Sequence, residues 1–272
     1  MSPLHRKERP ACVQRLVRHA GPVLVTAALG ALCACGGPAA AREHAATLTT
    51  QDDRGGAPAR ATSPAAPPAA TPPAPALPRQ LPGLGASTLA EVPANARQAL
   101  VVTGRSADSP ESSAVLYRRT TDGWQAGATW AAHNALHGWS GHHLAGDLRS
   151  PVGVFALTDA GGLLRDPGTK LPYSHSGGFT VGGTGFEGEN LAGSFDYVVA
   201  INYNREPGTS PLDWTRPLGA GRGGGIWLHV DHGGPTHGCV SLSERHMRDL
   251  LRTLDPSLHP VVVMGDARAL RR

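Results

Sequence analysis

Cysteine is scarce: the 272-residue chain has four, and three of them, Cys12, Cys33 and Cys35, fall before residue 36. That leaves Cys239 alone in the remainder of the chain, so a framework of paired cysteines of the kind that holds small exported domains is excluded. A long membrane-spanning run is also missing; the one extended apolar stretch, "GPVLVTAALGALCAC", is too short for a comfortable span. No internal repeat is visible, and no second basic cluster follows the one at the N-terminus. The glycine-rich "GGFTVGGTGFEGEN" follows no phosphate-loop pattern and opens no clear helix, so it is read as a β-turn region and candidate flap over a cleft.

The first residues have the layout of an export signal. Arg6, Lys7, Arg9, Arg15 and Arg18 precede the short apolar run and small residues end it. Leu32-Cys33-Ala34-Cys35 followed by Gly36 resembles a bacterial lipobox, which makes residues 1–34 a lipoprotein-type signal peptide and Cys35 the lipidated first residue. The alternative is an ordinary signal cut near Ala39 to Ala41. The formal net charge of +4 belongs to this segment: of 25 basic and 21 acidic residues, five and one lie in 1–34, leaving 20 of each. A neutral remainder gives no electrostatic reason to expect nucleic acid as a partner. With the signal removed and Cys35 lipidated, Cys239 is the one free thiol, either packed and inert or kept for chemistry.

Residues 35–87 are rich in Ala, Pro and Thr, with nine prolines from Pro58 to Pro82 and no apolar periodicity. Such a segment is expected to be an extended, disordered tether, reaching at most on the order of 150 Å as polyproline. Residues 88–272 are the expected folded domain, and most of it reads as β. "RQALVVTG", "SAVLYRRT", "PVGVFALTD" and "FDYVVAINYN" are short runs of branched and aromatic residues. In "GGGIWLHVDH", Ile226, Leu228 and Val230 alternate with Trp227 and His229. "SERHMRDLLRTLDP" is the one convincing helix, with Met247, Leu250, Leu251 and Leu254 at helical spacing, Ser243 as N-cap, Glu244 in the first turn and Pro256 beyond its end. "HPVVVMGD" reads as a closing strand. Short strands and many glycines point to a mainly β fold, sandwich or barrel-like, with one amphipathic helix after Cys239.

His229 on a strand and Cys239 ten residues on, past a Gly-Gly-Pro turn, are positioned for chemistry. An imidazole in hydrogen-bond reach favours the thiolate. Gly238 lets consecutive N–H groups face a developing oxyanion. A buried structural cysteine is the other reading of the same residues.

"IWLHVDHGGPTHGCVSL" resembles the active-site signature of the L,D-transpeptidase (YkuD-type) catalytic domain, with Thr236-His237-Gly238-Cys239 as its Ser/Thr-x-Gly-Cys element. "GDLRSPVGVFAL" is similar to the family's Pro-x-Gly-x-Phe stretch at Ser150-Pro151 and Gly153-Val154-Phe155, and "YVVAINYN" to the strand before the active-site segment. The likeness runs from about Val92 to Gly265. It implies Cys239 as nucleophile, His229 as general base and an oxyanion hole from His237, Gly238 and Cys239, with Thr236 and Ser241 beside the substrate. It implies peptidoglycan stem peptides as substrate, attack on a meso-diaminopimelate–D-Ala bond, transfer to a neighbouring amine giving a 3→3 cross-link, and no metal or organic cofactor. Membrane contact would be through the N-terminal lipid alone, which places the protein outside the cytoplasm, anchored or secreted to the wall.

Two departures stand out. Ser241 occupies the position two after the cysteine, where the family usually has Arg or Asn, and the His-to-Cys spacing is short. Both bear on substrate handling, so water as acceptor (a carboxypeptidase) is an alternative. For the base, His237 is nearer in sequence but expected to point away, and His232 is expected to be a loop residue. A zinc peptidase is a second alternative, since His229, His232, His237 and Cys239 are possible ligands, and His142, His143 and Asp147 superficially resemble a zinc-peptidase cluster; the spacing fits no compact zinc module. The third is a non-catalytic wall-binding lipoprotein using Trp124, Trp130, Trp139, Trp214 and Trp227. His133, His137, His175 and His259 are read as surface or loop residues.

Overall fold

A computed structural model describes residues 76–272. The expected signal, Cys35 and most of the tether lie outside the described residues. The strands are β1 (Gln98–Gly104), β2 (Glu111–Arg119), β3 (Trp124–His133), β4 (Trp139–Ser140), β5 (Ser150–Pro151), β6 (Gly153–Gly162), β7 (Tyr173–His175), β8 (Val198–Ile201), β9 (Trp227–Val230), β10 (Val240–Leu242) and β11 (Val261–Asp266). The α-helices are α1 (Ala86–Glu91), α2 (Glu244–Thr253) and α3 (Ala267–Leu270).

The fold is mainly β and barrel-like, as the sequence predicts. Nine strands pair in the order β11-β1-β2-β3-β10-β9-β8-β6-β7, and β11 pairs with β6 as well, so the first eight close into a ring with β7 added at one side. Closure removes the open edges that an eight-strand sheet would otherwise expose. The closing pair is antiparallel, Val261 to Met264 against Ala156 to Gly153. Strands β1 and β11 lie parallel and are buried on both faces, which is why "ALVV" and "VVVM" are continuous apolar runs rather than alternating ones. Leu100, Val102, Val262 and Met264 enter the main core, while Ala99, Val101, Val261 and Val263 face a second cluster with Leu81, Trp124 and Leu270.

Helix α2 forms as its sequence dictates. The Ser243 hydroxyl accepts from the His246 N–H at 3.3 Å, Glu244 sits in the first turn, and Met247, Leu250 and Leu251 are buried in the main core. Leu254 closes it and Pro256 opens a separate 3₁₀ turn. Strand β3 and the two short helices carry no clear pattern in the sequence; β3 is mostly exposed and built from Ala, Gly, Gln and Thr between its two tryptophans.

Residues at the end of the expected tether are packed on the domain. Leu81 is buried in the second cluster, the Pro78 carbonyl accepts from the Trp124 N–H at 2.8 Å, and the Gly85 N–H donates to the Leu270 carbonyl at 2.9 Å. Proline-rich composition conceals Leu81 and Leu84, which make this contact.

Candidate active site

Strands β9 and β10 are parallel neighbours, with Leu228 opposite Val240 and His229 opposite Ser241. Registered residues share a face and side chains alternate along each strand. Trp227, His229, Cys239 and Ser241 therefore occupy one face, and Leu228, Val240 and Leu242 the other, inside the main core. The loop between the strands is fixed to its surroundings: Thr236 donates its N–H to the Asn134 carbonyl at 3.0 Å, and its carbonyl accepts from the Leu136 N–H at 3.0 Å. The Thr236 hydroxyl donates to the Cys239 carbonyl at 2.6 Å, and Ser150 Oγ donates to the same oxygen at 3.3 Å.

This arrangement modifies the expected oxyanion hole. The Gly238 N–H points back at Thr236 Oγ1, 3.3 Å away, rather than outward. Thr236 is thus both a cleft residue and the support of the cysteine's carbonyl. Ser241 also differs from its expected place beside the substrate. It is fully buried, and its Oγ donates to Asp231 Oδ1 at 2.6 Å.

Cys239 forms no disulfide among the described residues and is fully buried, in one cluster with Phe179, Phe195 and Trp227. Its Sγ lies 3.6 Å from the Gly225 carbonyl. The cover comes from residues 176–197, which contain the glycine-rich stretch 177–190 expected to be a flap and run past it to Phe195. Phe179 and Phe195 lie on Trp227, with ring centroids 5.8 and 5.1 Å away. Phe186 sits 4.6 Å from the His237 ring.

His229 is buried, and its Nδ1 is 2.8 Å from the Val230 carbonyl. Burial pushes its pKa down to about 4, against the opposing pull of the Val230 carbonyl. At neutral pH it is an uncharged imidazole whose Nδ1–H is committed to Val230, leaving Nε2 as the basic nitrogen. That is the state a general base requires. His232 is more than a loop residue: its ring stacks on His229 at 5.7 Å and 11°, and its Nδ1 is 3.2 Å from Glu189 Oε1 of the flap, without hydrogen-bond alignment. His237, expected to point away, lines the same cleft. The cleft is small, about 30 Å³, and lies between Val181, Leu191 and Phe195 of the flap and His229, His232 and His237. Burial lowers the pKa of both His232 and His237.

The sequence singled out neither Asp231 nor His133 for a role here. His133, read as a surface residue, places Nδ1 2.8 Å from Asp231 Oδ1. Burial of Asp231 raises its pKa, but hydrogen bonds from His133 and Ser241 prevail and hold it at about 2; the same bond raises His133. The available signal was alternation: Asp231 is two residues from His229, on the same side of the chain.

The residues weighed as a second metal cluster are engaged elsewhere. His143 is buried with Nδ1 2.9 Å from Asp147 Oδ1, while the His142 ring meets Arg222 Nη1 at 3.0 Å. Among the described residues, no three His, Cys, Asp or Glu side chains are grouped as metal ligands. Trp124, Trp139 and Trp227 are buried in the core, Trp130 stacks on His246, and Trp214 lies under Arg216. The five do not make one exposed aromatic face.

A closed β ring, with a buried thiol one residue before β10 and a buried histidine on the parallel neighbour β9, defines the class: a mainly β domain. The L,D-transpeptidase catalytic-domain (YkuD) family model matches residues 97–263, and the chain belongs to that family. Among solved structures it is similar to Bd1075 of Bdellovibrio bacteriovorus, at 18% identity and a TM-score of 0.37, covering 71% of this chain and 54% of that one. The chain thus spans about half the length of that protein. No curated protein matches.

Proposed function

We propose that this protein is a peptidoglycan L,D-transpeptidase that forms 3→3 cross-links through a Cys239 thioester. The observation that carries the reading is the placement of Cys239, one residue before β10, and an uncharged His229 on its parallel neighbour β9, within a chain of the L,D-transpeptidase family. His229 Nε2 takes the Sγ proton as the sulfur attacks the carbonyl carbon of the diaminopimelate–D-Ala bond. The C–N bond breaks, the imidazolium returns the proton to the departing D-Ala amine, and the acyl group stays on sulfur. The amine of a second stem then attacks the thioester, His229 accepts its proton, and the thiolate leaves and is reprotonated. Neighbouring N–H groups, with Gly238 freed from Thr236, would stabilise each tetrahedral oxyanion. We further assign the protein to the extracytoplasmic side, held by a lipid on Cys35.

Intact-mass analysis after incubation with a disaccharide-tetrapeptide or a carbapenem tests this. An adduct on the wild type that is absent in Cys239→Ala is the expected result. A wild type that forms no adduct with either overturns the reading.

A further inference from the structure

His133, Ser241 and His229 form a row across three neighbouring strands. Ser241 is opposite His133 of β3 on one side and His229 of β9 on the other. All three share the face that carries Cys239. Asp231, two residues after His229, reaches back along this row. Its Oδ1 accepts from Ser241 Oγ at 2.6 Å and from His133 Nδ1 at 2.8 Å, and its backbone N–H donates to the Leu242 carbonyl at 2.7 Å. One residue at the end of β9 is therefore bonded to β10 twice and to β3 once.

The two strands that carry the site are short: β9 has four residues and β10 three. Backbone pairing over so few residues tolerates small lateral shifts, and a shift here would move His229 relative to Cys239. We propose that Asp231 is a positioning residue: bonded to Ser241 and His133, its carboxylate fixes the strand bearing His229 against the strand that directly follows Cys239. This rests on the cysteine–histidine reading of the site. It also accounts for Ser241. A side chain of arginine size could not occupy this fully buried position, whereas a hydroxyl fits and donates to the carboxylate. The charges around the clamp are accounted for. His133 faces Asp231, Glu187 of the flap and Glu111 of β2, and Asp231 faces His133 and lies within electrostatic range of His229 and His232.

The test follows iodoacetamide alkylation of Cys239 against pH, resolved by peptide mass spectrometry, in wild type, Asp231→Asn, Ser241→Ala and His229→Ala. A misplaced base accepts the Sγ proton less readily as the sulfur attacks, so alkylation near neutrality slows. Asp231→Asn and Ser241→Ala should slow alkylation at pH 7 by on the order of tenfold. Their midpoints should move toward that of His229→Ala. On a stem tetrapeptide, kcat should fall with KM unchanged. If His229→Ala shifts the midpoint but Asp231→Asn and Ser241→Ala do not, Asp231 serves stability alone and the proposal is overturned while the base assignment stands. If His229→Ala leaves the midpoint where it was, the base assignment falls and this proposal with it. Should Asp231→Asn fail to fold, Ser241→Ala, which removes one hydroxyl, decides.

Discussion

Burying an imidazole without an ionic partner has a consequence for stability that His229 makes measurable. Its folded pKa, about 4, lies below the ordinary value of 6.5. Between those limits the unfolded chain binds a proton that the folded chain refuses, so stability rises with pH across the window and falls as the solution is acidified. A shift of this size corresponds to about 3 kcal/mol. Chemical denaturation at a series of pH values from 7 to 4 should show that loss, and His229→Gln should show a shallower slope; equal slopes would mean that His229 is not buried neutral. His143, His232, His237 and His246, whose pKa values burial also lowers, add to the acid sensitivity, and His133, whose pKa is raised, opposes it. At this scale the nucleophile and base were legible because the signal is local: alternation puts His229 opposite the core residues, and Thr-His-Gly-Cys is contiguous. Asp231 was not legible as a clamp because His133, the partner that charges it, is 98 residues away in sequence, and nothing in either neighbourhood announces the pairing.

The flap spanning 176–197 is held firmly at its ends and lightly at its tip. Phe179 and Phe195 are buried on Trp227, whereas Phe186, the tip residue that covers His237, is itself 39% exposed. Truncating an exposed ring removes little buried area, so Phe186→Ala should cost less than about 1 kcal/mol. It should nonetheless raise the rate at which iodoacetamide reaches the fully buried Cys239 by several-fold, as read by peptide-resolved mass spectrometry. An unchanged rate would show that the tip does not limit access. Helix α2 and the flap mark the two extremes of legibility among the elements. The helix carries its own cap and an apolar stripe at i, i+3, i+4, so its form is written in consecutive residues. The flap has no periodicity at all: glycine composition identified a turn region, but its packing depends on Phe179 and Phe195 reaching Trp227 of β9 and Phe186 reaching His237 of the loop after it.

Closing eight strands into a ring leaves the second apolar cluster on the outside of β1 and β11, and something must cover it. The cover is supplied from both ends of the domain: α3 contributes Leu270, and the segment before α1 contributes Leu81, with Leu84 packed alongside. Hydrogen bonds tie the same pieces together, from the Trp124 N–H to the Pro78 carbonyl and from the Gly85 N–H to the Leu270 carbonyl. Composition alone places the domain boundary between 87 and 88, inside α1, because prolines outnumber the leucines that matter. A chain beginning at Thr88 should therefore fold less stably than one beginning at residue 76. Re-exposing Leu81 loses about 1.5–3 kcal/mol, and each lost hydrogen bond about 1 kcal/mol more. A domain of this size loses roughly 2–4 °C in Tm per kcal/mol, so the shorter chain should melt about 10 °C lower. The site is built on β9 and β10, across the ring from this cover, so Cys239 alkylation in the shorter chain should keep its pH midpoint at temperatures where both chains are folded. Equal melting temperatures would mean that residues 76–87 add nothing to the domain and that the boundary lies where composition puts it.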